Sequence, residues 1–288
     1  MRWAGKEITC GHGTRCGNWV SGFATEIDVP PLPSQLEIIA LDGLPMVQPG
    51  DNLAEIIVCG LKQNNVRLRS DDIVVAAQKI ISKAEDRYVQ LATIAPGEHA
   101  RDLAERTGKD PRLLEIILSE SSEVVAVSPG VIITRHRSGH VMANAGVDQS
   151  NIDQHGETVL LLPVDADKSA ARLRTAISAQ TGIDVGVIVA DSFGRPWRMG
   201  TTLAAIGVSG VTALWDRRGD IDRCQNTLNV TQLALADMAA TAAGLVMGEA
   251  DEGRPVAVVR GLSGFGATQT SRDLIRDPAD DLFNLEKR

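Results

Sequence analysis

The residues best suited to chemistry lie between Val187 and Gly200. Val187, Ile188, Val189 and Ala190 read as a strand buried on both faces, which delivers Asp191 and Ser192 to its C-terminal end. A carboxylate beside a hydroxyl can hold a hard cation. Gly194 lets the backbone turn, and Arg195 and Arg198 then place two guanidinium groups nearby. Carboxylate, cation and paired arginine are the groups that surround a transferred phosphoryl group. An aspartate capping a turn, with two arginines in surface ion pairs, explains Asp191 alone but not the whole run.

Other segments add oxygen donors and cations. Asp148 follows Gly146 after a strand signal, with the amides of Asn144 and Asn151 beside it, although such residues also stand in turns for local reasons. Glu249, within Met247–Pro255, follows an Ala/Leu-rich helix signal, where an acidic cluster opposes the helix dipole; a bound cation or plain solvation would relieve that cost. Lys79 and Lys83 stand four apart after a strand, so a helix there would aim both at one anion, with Ser82 as a further donor. Gly261–Gly266 is a glycine-rich loop whose amides could approach phosphate. No G-x-x-x-x-G-K-[ST], strand-linked G-x-G-x-x-G, G-x-S-x-G or H-E-x-x-H occurs, and the five histidines are scattered.

The elements that must position these groups alternate from Leu36 onward. Strands are expected over 36–41, 72–77, 124–127, 131–134, 140–143, 158–162, 185–190 and 256–259. Helices are expected from Asp51 as N-cap through Leu61, over 98–106 and 111–120, over 168–181 ending at Gly182, and over 228–247. Strand-rich stretches kept apart from helical ones indicate an α+β class and not a simple doubly wound sheet. Residues 1–34 differ: they hold Cys10, His12 and Cys16, many glycines and a proline-rich exit, and read as a loosely ordered extension. Three ligand types without a fourth at zinc spacing make a weak metal signal.

Composition limits the partners. A net charge of -8 and 3% aromatic residues argue against a nucleic-acid binder, which needs a basic surface and stacking platforms. No apolar run reaches the roughly 20 residues of a membrane span. Four cysteines in 288 residues form no disulfide framework, and no apolar segment follows Arg2 and Lys6, so a reducing cytoplasm is expected.

Taken together, the runs Gly43–Asp51, Ser82–Glu85, Asn144–Asn151, Asp191–Arg198 and Met247–Glu249 resemble those of the coenzyme F420:L-glutamate ligase family, in order and spacing, across about residues 36–275. The resemblance implies a two-lobed α+β fold with mixed sheets over 35–288 and an intertwined homodimer. It also implies GTP-dependent addition of L-glutamate to a deazaflavin F420 precursor, through an acyl phosphate. Asp148, Asp191, Ser192 and Glu249 would bind divalent metal, two ions of Mg²⁺ or Mn²⁺, with a monovalent cation such as K⁺ as a further cofactor. Guanine-nucleotide contacts would come from Leu44, Pro45, Met46 and Val47, from Gln78, Lys83 and Asn151, and from Met247, Gly248, Ala250, Asp251 and Gly253. Some relatives carry a hydroxyl residue at the position of Gln78.

Arg195 and Arg198 are assigned to the anionic substrate or transition state from their chemistry alone. Some family members continue into a nitroreductase-like flavin domain; the sequence ends at Arg288, and that second activity is expected to be missing. Three alternatives stand beside this reading: a related ligase for another carboxylate acceptor, a non-catalytic nucleotide-binding protein, and a metal-dependent phosphohydrolase.

Overall fold

The computed structural model describes residues 33–150, 152, 156–262 and 268–281. Cys10, His12, Cys16, Asn151 and most of the Gly261–Gly266 loop lie outside them.

β1 (Glu37–Ala40) leads through a loop to α1 (Leu53–Gln63). Asn52, not Asp51, caps α1. The Asn52 side chain accepts the Glu55 N–H at 3.3 Å, while Asp51 accepts the Gln48 N–H at 2.7 Å and closes the preceding turn. β2 (Ile73–Ala77) runs directly into α2 (Gln78–Ala84), followed by β3 (Tyr88–Gln90), α3 (Glu98–Thr107) and α4 (Pro111–Glu120). Next come β4 (Ser121–Ser128), β5 (Val131–His136), β6 (Val141–Ala143) and β7 (Thr158–Leu160). α5 (Ala166–Thr181) starts at the Asp165 cap and ends, as expected, at Gly182, whose φ of 73° is left-handed. β8 (Gly186–Arg195), β9 (Arg198–Ser209), β10 (Leu214–Asp216), β11 (Gln232–Ala234), α6 (Leu235–Met247) and β12 (Val256–Arg260) complete the order.

Two further expectations need correction. The strand expected to end at Ala190 continues through Asp191 and Ser192 to Arg195, because β9 pairs with it residue by residue; Gly194 faces Thr201 in the ladder, and the turn comes at Pro196 and Trp197. The helix expected from Leu228 begins only at Leu235, because Gln232–Ala234 pairs with β10. In both places tertiary pairing overrides a local signal.

The central sheet has the order β1-β12-β2-β8-β9, in which β2–β8 is the parallel pair and the other neighbours are antiparallel. A β4-β5-β6 meander and the ribbons β3–β7 and β10–β11 complete an α+β fold with mixed sheets. On one face of the central sheet, Val74, Ala76, Val187 and Val189 meet Ile57, Ile81, Leu173 and Ile177 of the helices. On the other, Val75, Ile188, Ala190 and Val259 meet Ala236, Ala239, Ala240 and Ala243 of α6. Burial on both faces is why β2 and β8 are apolar without alternation. A separate core joins Leu103, Leu114 and Ile117 to Ile132 and Val159. No helix among the described residues is long and apolar enough to cross a membrane.

Candidate active site

At the C-terminal end of the parallel pair, Ala77 lies opposite Ala190, so the chain enters α2 and the Asp191 segment side by side. The ends of parallel strands are where open sheets bind ligands, because the chain diverges there. A cavity of about 590 Å³ occupies this place. The lining includes the loop carrying Leu44, Pro45, Met46 and Val47 and the loop after α6, with Met247, Gly248, Ala250, Asp251 and Gly253. Gln78 and Lys83 of α2 line it, as do Asp148, Asp191, Ser192 and Glu249.

Arg195 and Arg198 are not among the lining residues. They sit exposed on either side of the β8–β9 turn, opposite each other in the ladder, with Trp197 between them 83% exposed at φ 56°. The strand that carries Asp191 into the cavity carries Arg195 out of it, at about 3.3 Å per residue.

Local contacts hold the walls. The Arg254 guanidinium pairs with Asp42 at 2.5 Å and ties the loop after α6 to the loop before Leu44. The Glu252 carboxylate folds back to accept the Ala250 N–H at 2.8 Å, and Gly248 stands at φ 76° and ψ 178°, a backbone conformation open to glycine and strained for other residues. Ahead of Asp148, Asn144, Ala145 and Gly146 all have positive φ, of 55°, 53° and 69°. This left-handed turn aims the next residues at the cavity, and Gly146 packs where a Cβ would meet Leu162 side-chain atoms at 2.8 Å.

The electrostatics are acidic and crowded. The Asp191 carboxyl is pushed up to about 7: burial dominates, nearby Asp148 and Glu249 add to it, and a backbone hydrogen bond from Ser192 and the charge of Lys79 oppose it. Asp191 keeps some contact with water, yet protein atoms enclose it at longer range, and that enclosure raises the cost of its charge. Among the described residues no basic side chain is within ion-pair distance of it. Asp148 pairs with Lys79 at 2.7 Å, and the Ser192 hydroxyl donates to Glu249 at 2.5 Å. Burial first, then Lys79, holds the Lys83 ammonium below its usual range, and Asp148 opposes them.

Three carboxylates and a hydroxyl are oxygen donors suited to Mg²⁺ or Mn²⁺. Among the described residues no three acidic, histidine or cysteine side chains are gathered tightly enough to enclose an ion as they stand. The donor set therefore fits such a metal in kind, and the carboxylates that must turn to complete it are held by Lys79 and Ser192.

Sequence reasoning had Lys79 face an anion, and the anion it meets is a carboxylate of the chain itself, Asp148. It did not find the Arg254–Asp42 brace, because those residues are 212 apart. It also missed His140, a buried ring set edge-on to Phe193 at 6.2 Å between centroids, beneath the Asp191 segment. A lone histidine among scattered ones carried no signal.

Residues 43–261 match the family model described as F420-0:Gamma-glutamyl ligase. The chain is 46% identical over 241 residues to the coenzyme F420:L-glutamate ligase of Methanopyrus kandleri, covering 82% of this chain and 93% of that protein. It is 42% identical to the enzyme of the same name from Methanocaldococcus jannaschii, over 86% and 97% of the two chains. The corresponding protein of Haloarcula marismortui is 39% identical, over 88% and 97%. The cavity, with its acidic centre and two lysines, lies within the matched span, and this chain belongs to the F420-0:gamma-glutamyl ligase family.

Proposed function

We propose that this chain joins L-glutamate to the deazaflavin F420-0 precursor at the expense of GTP, then extends it through a γ-glutamyl link, and releases GDP and phosphate. The supporting observation is that Asp148, Asp191, Ser192, Glu249 and two lysines line one cavity at the end of the parallel strand pair, in a chain of this family. An amide does not form from a carboxylate and an amine at neutral pH unless the acid is activated. A precursor carboxylate oxygen attacks the γ-phosphorus, the bond to the β-phosphate bridging oxygen breaks, and an acyl phosphate and GDP result. The glutamate amine then attacks the acyl carbon, loses a proton and expels phosphate.

Lys83 holds the nucleotide phosphates as a buried point charge, and the apolar wall from Leu44 to Val47 and the loop around Gly248 and Gly253 enclose the nucleoside. Asp148, Asp191, Ser192 and Glu249 would hold Mg²⁺ or Mn²⁺, which neutralises charge between phosphoryl oxygens and the incoming acid. A monovalent cation such as K⁺ belongs to the same cofactor reading.

The chain works as a cytoplasmic homodimer on small-molecule substrates, without nucleic acid or membrane. Exposed Trp197 and Met199 at the β8–β9 turn support the dimer, because they offer apolar surface beside Arg195 and Arg198. In this reading the two arginines reach anionic substrate in the cavity of a second copy, since they leave their own.

Mass spectrometry of the products from F420-0, GTP and L-glutamate tests the activity. A glutamyl adduct formed with stoichiometric GDP is expected. GTP turnover that needs neither glutamate nor precursor would instead identify a phosphohydrolase.

A further inference from the structure

The cavity contains a cation of its own. Lys79 Nζ lies 2.7 Å from Asp148 Oδ2 and 3.0 Å from Ser150 Oγ. Asp148 Oδ1 accepts from the Ser150 N–H and from the Ser150 hydroxyl, both at 2.8 Å. Ammonium, hydroxyl and carboxylate thus close a ring in which both carboxylate oxygens are satisfied. The Lys79 and Asp148 side chains are 27% and 22% exposed, so the pair is partly desolvated and the lysine has space to swing away. We propose that the Lys79 ammonium is the resident counter-cation of this cavity, neutralising Asp148 in the metal-free protein and competing with a divalent cation for that carboxylate.

The inference rests on the metal reading above and deepens it. A divalent ion using Asp148 Oδ2 needs the position that Lys79 Nζ holds, and two cations cannot share it at contact distance without strong repulsion. Without either cation, Asp148, Asp191 and Glu249 would stand together, with Lys83 and the Asp42-paired Arg254 as the other basic side chains among the described lining residues. Lys79 therefore stabilises the metal-free site and weakens metal binding through one contact.

The test titrates Mn²⁺ alone, without nucleotide, into the wild type and into Lys79→Met, Lys79→Gln and Lys79→Arg, following free Mn²⁺ by electron paramagnetic resonance. The two neutral variants are expected to bind Mn²⁺ about tenfold more tightly than wild type, and Lys79→Arg to match wild type, because charge and not packing is at issue. Without metal the neutral variants should melt below wild type, and saturating Mn²⁺ should close that gap. Neutral variants that fold only with Mn²⁺ give the same result in extreme form.

Equal or weaker Mn²⁺ binding by the neutral variants overturns the proposal. So does a melting deficit that persists in saturating Mn²⁺, or failure to fold with and without it. Asp191→Asn separates this inference from the reading beneath it. If Asp191→Asn binds Mn²⁺ like wild type, the metal site itself is refuted; if it loses binding while the neutral Lys79 variants match wild type, only the role of Lys79 falls.

Discussion

The parallel pair β2–β8 has a carboxylate at each end, and the protein treats the two in opposite ways. Asp72, just before β2, is fully buried and meets Arg260 in a two-pronged pair at 2.8 and 2.9 Å, while Arg260 also donates to the Arg67 carbonyl at 2.9 Å. Asp191, just past the far end of the parallel pairing, is enclosed beside Asp148 and Glu249 and has no such partner among the described residues. A buried charge with its partner supplied by the chain serves the fold. One that lacks a partner costs stability, and the cost is understandable if an external cation completes the site. The two ends thus differ in kind, with the charge paired at one and left without a basic partner among the described residues at the other.

The sharpest test of that difference is Asp191→Asn. Ligation should fall about a thousandfold, equivalent to ~4 kcal/mol of transition-state stabilisation, while the melting temperature of the metal-free protein stays level or rises. A folded variant with normal turnover would end the contrast.

Arg260→Met should do the reverse. Leaving Asp72 buried without its cation should lower unfolding free energy by about 3–4 kcal/mol in urea titrations. The fraction that remains folded should keep its specific activity, because the change is at the opposite end of the strands.

The hairpin beyond Asp191 extends the comparison between copies. Arg195→Ala with Arg198→Ala should reduce ligation about a hundredfold. Mixing this variant with Asp191→Asn should recover about a quarter of the wild-type rate, since randomly exchanged dimers would pair an intact cavity with an intact hairpin. No recovery after subunit exchange would mean that the arginines do not act across copies.

The smallest effect concerns His140 beneath Phe193. Burial lowers its pKa to about 4, with His136 adding to the effect. Its neutral form is thus the folded one, and the unfolded chain takes up the proton first. Stability present above pH 6.5 is lost as the pH falls towards 4, by about 2 kcal/mol at pH 5. Urea unfolding of wild type and His140→Gln at pH 7 and pH 5 should show that the variant loses this dependence.

The alternation of strands and helices, the doubly buried β8 and the helix end at Gly182 were legible in the sequence, whereas the N-cap read at Asp51 belongs to Asn52. Each depends on residues within a few positions of one another, through side-chain periodicity or a single hydrogen bond. So was most of the cavity. Leu44–Val47, Gln78, Lys83, Asp148, Asp191, Ser192 and Met247–Gly253 stand in short runs whose resemblance to one family named them before any fold was known, and all of them converge on one place.

Only the tertiary structure decided what those groups face. Cross-strand pairing with β9 carried the β8 ladder past Asp191 and moved Arg195 and Arg198 out of the cavity that their neighbours enter. Pairing with β10 delayed the start of α6. Lys79 met Asp148, 69 positions away, and Arg254 met Asp42, because loops at the same end of the sheet were brought together by packing far from both. Local propensity acts over one turn or one strand, whereas the partner of a charge is set by which loops the sheet order places side by side.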